Sequence, residues 1–244
     1  MNHHILTIIE NTFIAKNTYK LLLRGSTLEE QHPGRFVNLL LPGLFLRRPL
    51  SVCDSDPGSL LLVYKTVGRG TEQLSALSPG ETLDVLTDLG NGYGLSPSGE
   101  SPLLLGGGAG VPPLYLLARR LRLSGRKVTA VLGFNTAAEA FGADAFRALG
   151  CDVTVTTADG SLGRRGFVTD AMPPDYTYFY ACGPEPMLRA VHRLTRTSGQ
   201  FSLEERMGCG FGACMGCTCR TPAGPKRICR EGPVLEKEEI LWEG

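Results

Sequence analysis

The sequence predicts an α+β multi-domain fold. An antiparallel β-barrel is expected over residues 1–95, a doubly wound parallel α/β domain over 96–198, and a small cysteine-rich domain over 199–244. Three observations predict it. Short apolar runs punctuated by Gly, Pro, Asn and Asp recur about every ten residues through the first part of the chain. From Pro102 onward, strand-like and helix-like segments alternate. Five of the eight cysteines then fall between Cys209 and Cys229.

A chain of 244 residues has room for two domains and an appendage. It should bury about 70–75% of its unfolded surface. Its net charge of +1 argues against nucleic acid or anionic lipid as a partner. No apolar run approaches the roughly 20 residues of a membrane span, and Leu39 to Leu46 is broken by Pro42 and Gly43. The opening MNHHILTIIE alternates like a strand and lacks the plan of a signal peptide. Clustered cysteines in an unexported chain point to metal or redox use in the cytoplasm. His3 and His4 read as surface residues of the first strand.

The barrel strands are expected in ILTIIENTFIAKNTYKLLLRG, RFVNLLL, RPLSVCDSD, SLLLVYKTV and ETLDVLTDLG. Two stretches there carry chemistry. In Arg48-Pro49-Leu50-Ser51, the Arg can pair with a nucleotide phosphate and lie along a ring system, the Pro stiffens the strand, and the hydroxyl can hydrogen-bond a ring edge. An Arg-Pro at a strand start is otherwise plain surface. In Val67-Gly68-Arg69-Gly70-Thr71, two glycines turn the chain and Thr71 can cap a short helix. Such a helix start suits an anion, and an ordinary strand–helix turn is the alternative. Cys53 reads as core, and Tyr93 as a loop aromatic after the Gly90-Asn91-Gly92 turn.

Ser96 to Gly99 reads as a linker. Gly106-Gly107-Gly108-Ala109-Gly110-Val111-Pro112-Pro113 is a glycine loop opening a helix, whose first turn tolerates proline. It is not the strict G-x-G-x-x-G pattern, and no acidic residue clearly ends the second strand. Ala181-Cys182-Gly183-Pro184 ends a later strand, where ligands of such sheets bind. A buried Cys before a helix-starting Gly-Pro is the plainer reading. Asp159, with Arg164 and Arg165, is a candidate for the adenosine side of a dinucleotide. The acidic residue favours NAD over NADP, although Asp159-Gly160 is also simply a turn. Cys151 reads as core.

Cys209, Cys214, Cys217 and Cys229 read C-x4-C-x2-C-x11-C, whose first two spacings are the plant-type [2Fe–2S] pattern. Gly208, Gly210, Gly212, Ala213 and Gly216 leave backbone N–H groups free to approach sulfur. Zinc is the competing reading, but zinc ribbons usually pair two C-x2-C knuckles and this second half supplies one Cys. Disulfides would close no long loop. Cys219 reads as a spare thiol.

Taken in order, RPLS (48–51), GRGT (68–71), LGGGAGVPP (105–113), ACGPEPM (181–187) and MGCGFGACMGCTC with ICREGPVL resemble the ferredoxin–NADP reductase superfamily. Over the whole chain they resemble its branch of dihydroorotate dehydrogenase B electron transfer subunits. The resemblance implies FAD on Arg48, Pro49, Leu50, Ser51, Gly70 and Thr71, with Val63, Tyr64 and Lys65 lining the flavin. Family members often have Arg where Lys65 stands. It also implies NAD on Gly106, Gly107, Gly108, Gly110, Cys182, Gly183 and Pro184, with Cys182 near the nicotinamide, and a [2Fe–2S] cluster on the four cysteines.

The implied partner is a separate FMN-containing dihydroorotate dehydrogenase catalytic subunit, two of each forming a heterotetramer. Electrons would pass from its FMN through the cluster and FAD to NAD+, in pyrimidine biosynthesis. Phe211, Met215 and the tail with Ile240 and Trp242 are interface candidates. Rival readings are a related reductase serving a hydrogenase, a glutamate synthase or a ferredoxin, and a non-redox module stapled by zinc.

Overall fold

The computed structural model describes residues 1–242. Six antiparallel strands close into a barrel in the order β1-β2-β5-β4-β3-β6: β1 Asn2–Ala15, β2 Thr18–Arg24, β3 Phe36–Leu40, β4 Arg48–Asp56, β5 Ser59–Lys65 and β6 Thr82–Leu89. The period-two pattern of β5 explains its register. Leu60, Leu62 and Tyr64 point inward, while Leu61, Val63 and Lys65 stay half-exposed. Asn17, with φ 55°, makes the tight turn from β1 to β2. Helix α1 (Arg69–Ser75) is fastened to the barrel by Asn11, whose amide donates to the carbonyls of Leu74 (2.8 Å) and Leu77 (2.9 Å).

A seven-stranded sheet follows: β7 Pro102–Gly107, β8 Thr129–Phe134, β9 Asp152–Thr157, β10 Arg164–Arg165, β11 Tyr178–Cys182, β12 Gly199–Ser202 and β15 Val234–Glu236. Its order is β10-β9-β8-β7-β11-β12-β15, and only β15 runs antiparallel to its neighbour. Apolar runs such as PLLLGG and YFYAC are buried throughout, as central strands covered on both faces should be. Helices α2 (Pro113–Leu123) and α3 (Ala143–Ala148) cover one face, and α4 (Glu185–Leu194) the other. The doubly wound architecture expected from the alternation is therefore present.

The last part of the chain does two things. It supplies β12 and β15 to the large sheet, and between them it forms the hairpin β13 (Thr218–Thr221) and β14 (Gly224–Arg227) with the cysteine loop. Ser202 pairs with Val234, and the Leu203 N–H donates to the Pro233 carbonyl (2.9 Å). The chain thus leaves and re-enters the sheet at one place.

Barrel and sheet are joined at several points. Leu116 of α2 is buried in the barrel core, and Arg119 reaches Asp54 (3.0 Å) and Asp56 (2.9 Å). Asn91 donates to the Glu231 (3.0 Å) and Val234 (2.7 Å) carbonyls, tying the barrel exit to the tail. Tyr93 is fully buried, edge-on to Tyr180. Ile240 is buried and Trp242 half-buried against the chain's own α4 and β12. Trp242 lies against His192 and Phe201, with the Arg189 guanidinium 5.4 Å from its ring centroid. Among the described residues, no helix is long and apolar enough to cross a membrane.

Candidate functional site

The strand order reverses at β7. Strand β7 leads into α2 on one face and β11 into α4 on the other, so the loops after them diverge and leave a crevice. A cavity of about 550 Å³ lies there, at the carboxyl ends of β7, β8, β9 and β11. Gly107, Gly108, Gly110, Gly183 and Pro184 line it, as the sequence suggests. Gly110 permits the closest approach: a Cβ there would sit 2.2 Å from the Cys182 carbonyl oxygen. Gly106 instead packs against Val111 and Leu114, seating the helix. Cys182 is buried behind the wall, its thiol pushed up to about 12 by burial and then by the Glu204 carboxylate.

Sequence reasoning missed other cavity residues. Asn135 and Glu139 come from the turn after β8, Thr156 from β9, and Glu204 from just beyond β12. The Thr156 hydroxyl is buried without a hydrogen-bond partner. Glu204 is accessible at the cavity, yet the protein enclosing it raises its carboxyl above the ordinary range. Lys65, reaching over from the barrel, also lines the cavity and pairs with Glu139 at 2.9 Å. Asp159, Arg164 and Arg165 are not among the lining residues. Asp159 accepts from the Ser161 N–H (3.0 Å) and hydroxyl (2.6 Å), which makes it a turn residue.

On the barrel, Arg48 and the glycine turn come together. A Cβ on Gly70 would lie 2.3 Å from Arg48 Nε. Arg48 Nη1 donates to the Leu46 carbonyl at 2.5 Å. Pro49, Leu50 and Ser51 pair in register with Asn38, Val37 and Phe36 of β3. Thr71 is not the helix cap expected of it. Gly68 precedes the first turn, and the Thr71 hydroxyl accepts from the Val67 N–H (2.9 Å) and donates to the Gly68 carbonyl (3.0 Å). Tyr64 faces away from Val63 and Lys65, stacked on Tyr19 with its hydroxyl on Asn11 (2.9 Å).

The cysteine loop rests on β3, where Asn38 donates to the Cys209 carbonyl (3.2 Å). Arg227 pairs with Glu231 and donates to the Gly212 carbonyl (2.7 Å). The thiols stand as two pairs. Cys209 Sγ accepts from the Ala213 (3.2 Å) and Cys214 (3.4 Å) N–H groups, and Cys214 Sγ from the Cys209 N–H (3.4 Å). Cys217 Sγ accepts from the Cys229 N–H (3.4 Å). Among the described residues, no three His, Cys, Asp or Glu side chains converge on a single-ion site.

The donor set fits a thiolate-bound cluster. Cβ atoms on Gly208 and Gly216 would lie 3.2 and 3.6 Å from Cys214 Sγ, so bare backbone surrounds that sulfur. Burial raises the Cys209 thiol, but N–H groups of Cys214, Phe211 and Ala213 outweigh it and bring it down to about 6. Cys229 is pushed up to about 12 by burial and then by its neighbour Cys217, so its thiolate needs positive charge beside it. Cys219, half-buried on the hairpin opposite Lys226, lies outside both pairs.

Residues 204–241 match the family model of the iron–sulfur cluster binding domain of dihydroorotate dehydrogenase B. The chain is 43% identical over 251 residues to the dihydroorotate dehydrogenase B (NAD(+)) electron transfer subunit of Bacillus caldolyticus, covering 97% of each chain. It is 42% identical to that of Shouchella clausii, again with 97% of each covered. Among solved structures, an NADH-dependent reduced ferredoxin-NADP oxidoreductase superposes with a TM-score of 0.88 at 32% identity, covering 97% of this chain and 90% of that one. An Amycolatopsis cytochrome P450 reductase gives 0.67 at 26% identity over 77% of this chain and 64% of that one. With relatives 42–43% identical over 97% of the chain and a matching cysteine domain, the chain belongs to the family of dihydroorotate dehydrogenase B electron transfer subunits.

Proposed function

We propose that residues 1–95 hold FAD, residues 96–198 hold NAD(H), and residues 199–244 carry a [2Fe–2S] cluster, with β12 and β15 returning to complete the nucleotide sheet. In this reading the subunit delivers to NAD+ the electrons that an FMN-containing catalytic subunit takes from dihydroorotate. The observation that carries it is convergence. One cavity is bounded by Lys65 of the barrel, by the glycine loop of the sheet, and by Glu204 just ahead of Cys209. A flavin exchanges paired electrons with nicotinamide and single electrons with an iron–sulfur centre, which is the chemistry the bound groups supply.

The chain's residues take these roles. Arg48 offers charge to the flavin's phosphates, and Gly70 lets backbone approach them. Thr71 keeps that turn closed. Pro49 and Leu50 shape the strand, and Ser51 offers a hydroxyl to the ring. Val63 borders the flavin with its side chain, Tyr64 with its backbone alone, and Lys65 spans flavin strand and nucleotide cavity. Gly107, Gly108 and Gly110 admit the dinucleotide's phosphates, while Gly106 seats α2. Cys182, Gly183 and Pro184 leave a thin wall for the nicotinamide. Cys209, Cys214, Cys217 and Cys229 would hold the cluster's irons as thiolates. Exposed Phe211 and Met215 beside the loop face the catalytic partner. The assembly is a cytoplasmic heterotetramer, two plus two.

Anaerobically purified chain should contain FAD with about two irons and two sulfides. It should reduce NAD+ from dihydroorotate only when the FMN subunit is added. Dihydroorotate turnover by the chain alone, or absence of iron and sulfide, would overturn the reading. The likeness to a ferredoxin-NADP oxidoreductase favours one second reading, in which ferredoxin is the acceptor. Faster NADH-driven reduction of ferredoxin than dihydroorotate-linked turnover would select it.

A further inference from the structure

We propose that Glu139 is a built-in counter-ion to Lys65 that holds down the affinity of the cavity's phosphate region. This rests on the reading of the cavity as the dinucleotide site. Lys65 Nζ lies 2.9 Å from Glu139 Oε2, and both side chains line the cavity. They are 23% and 16% exposed, respectively. The ammonium sits beside the glycine loop, 3.9 Å from where a Gly108 Cβ would be, so it faces any phosphate held by that loop. Asn135 Nδ2 holds the same carboxylate at 3.2 Å. The Lys65 hydrogen bond keeps Glu139 below its ordinary carboxyl value, so it remains an anion at neutral pH.

A pyrophosphate approaching this loop therefore meets a compensated pair instead of a bare ammonium. It must share Lys65 with a fixed negative charge, which repels it in a partly desolvated site. Barrel and sheet are also joined beside this pair by the Lys16 N–H, which donates to the Ala138 carbonyl (2.8 Å). A chain that must release a nucleotide in each cycle gains from a phosphate region that does not bind too tightly.

The test is calorimetric titration of the full-length chain, with FAD in excess, by ADP-ribose, which carries the pyrophosphate without nicotinamide. Glu139→Gln should tighten binding about five-fold and Lys65→Gln should weaken it about ten-fold. In the double variant the gain from Glu139→Gln should vanish, because the coupling runs through Lys65. Adenosine, lacking phosphate, should bind all four proteins alike. If Lys65→Gln weakens ADP-ribose but Glu139→Gln leaves it unchanged or weaker, the counter-ion role is wrong and the cavity assignment stands. If the gain persists without Lys65, the counter-ion role is likewise wrong. If neither single variant alters ADP-ribose, the cavity assignment itself fails.

Discussion

In the cysteine loop, Cys209, Cys214 and Cys217 are neighbours in sequence; the sulfurs of Cys209 and Cys214 take N–H bonds from the same short stretch, and that of Cys217 takes one from Cys229. The nucleotide crevice draws instead on the ends of β5, β7, β8, β9 and β11, brought together only when barrel and sheet have both folded. The first site is local and is held by its own backbone. The second is non-local and depends on the packing of two cores. Damage to the loop should therefore stay in the loop, whereas damage at the crevice should spread.

The sharpest test of that contrast is Cys214→Ser. It should abolish the cluster, read as loss of iron and sulfide, while ADP-ribose affinity changes less than two-fold by the locality argument. Collapse of nucleotide binding as well would erase the distinction. Next comes Gly110→Ala. Its methyl would meet the Cys182 carbonyl at 2.2 Å, so β7 and β11 must part. A cost of about 3 kcal/mol in urea unfolding is expected, with loss of ADP-ribose binding. A neutral result would mean that the crevice is softer than described.

Arg48→Ala should lower FAD retained on gel filtration about ten-fold while iron content is kept. Equal flavin content would remove Arg48 from the phosphate role. Asn38→Ala unpins the loop from β3 and should cost about 1 kcal/mol, with faster iron loss to a chelator. Unchanged iron loss would show that the loop needs no seat on the barrel.

The smallest effect concerns acid. Glu231 is brought down to about 2 by its hydrogen bond to Arg227. Its folded value lies below the ordinary carboxyl value of 4.5, so the clamp contributes fully above about 4.5 and fades as pH falls toward 2. Glu231→Gln should flatten the stability–pH slope in that window. An unchanged slope would place the acid sensitivity elsewhere.

The same contrast decides what was legible in the sequence. The cysteine spacing and the glycines around it could be read directly because the contacts they serve are local. The barrel strands and the alternation of β7 to α4 were also legible, since period and turn chemistry are local. Glu139 was not: no pattern says that the turn after β8 will bring it to Lys65, far earlier in the chain. Trp242 could not be placed for the same reason, since its partners His192 and Phe201 lie on other elements. Asp159 had the right residue type, and its own Ser161 bonds claim it for a turn. Thr71 has the residue type of a cap, but the helix starts two residues earlier at Arg69, and the Thr71 hydroxyl bonds back to Val67 and Gly68 from inside its first turn.

Ser202 and Val234 sit opposite one another on adjoining strands. The segment between them leaves and re-enters the sheet at that one pair, its stem, and beyond it is held to the barrel by Asn38 and Asn91, so a replacement must keep the pair and can give up those two contacts. Joining β12 to β15 by a short hairpin should leave a colourable yellow scaffold that still takes nucleotide. Grafting other redox loops onto that stem would then be a way to rewire which acceptor the scaffold serves.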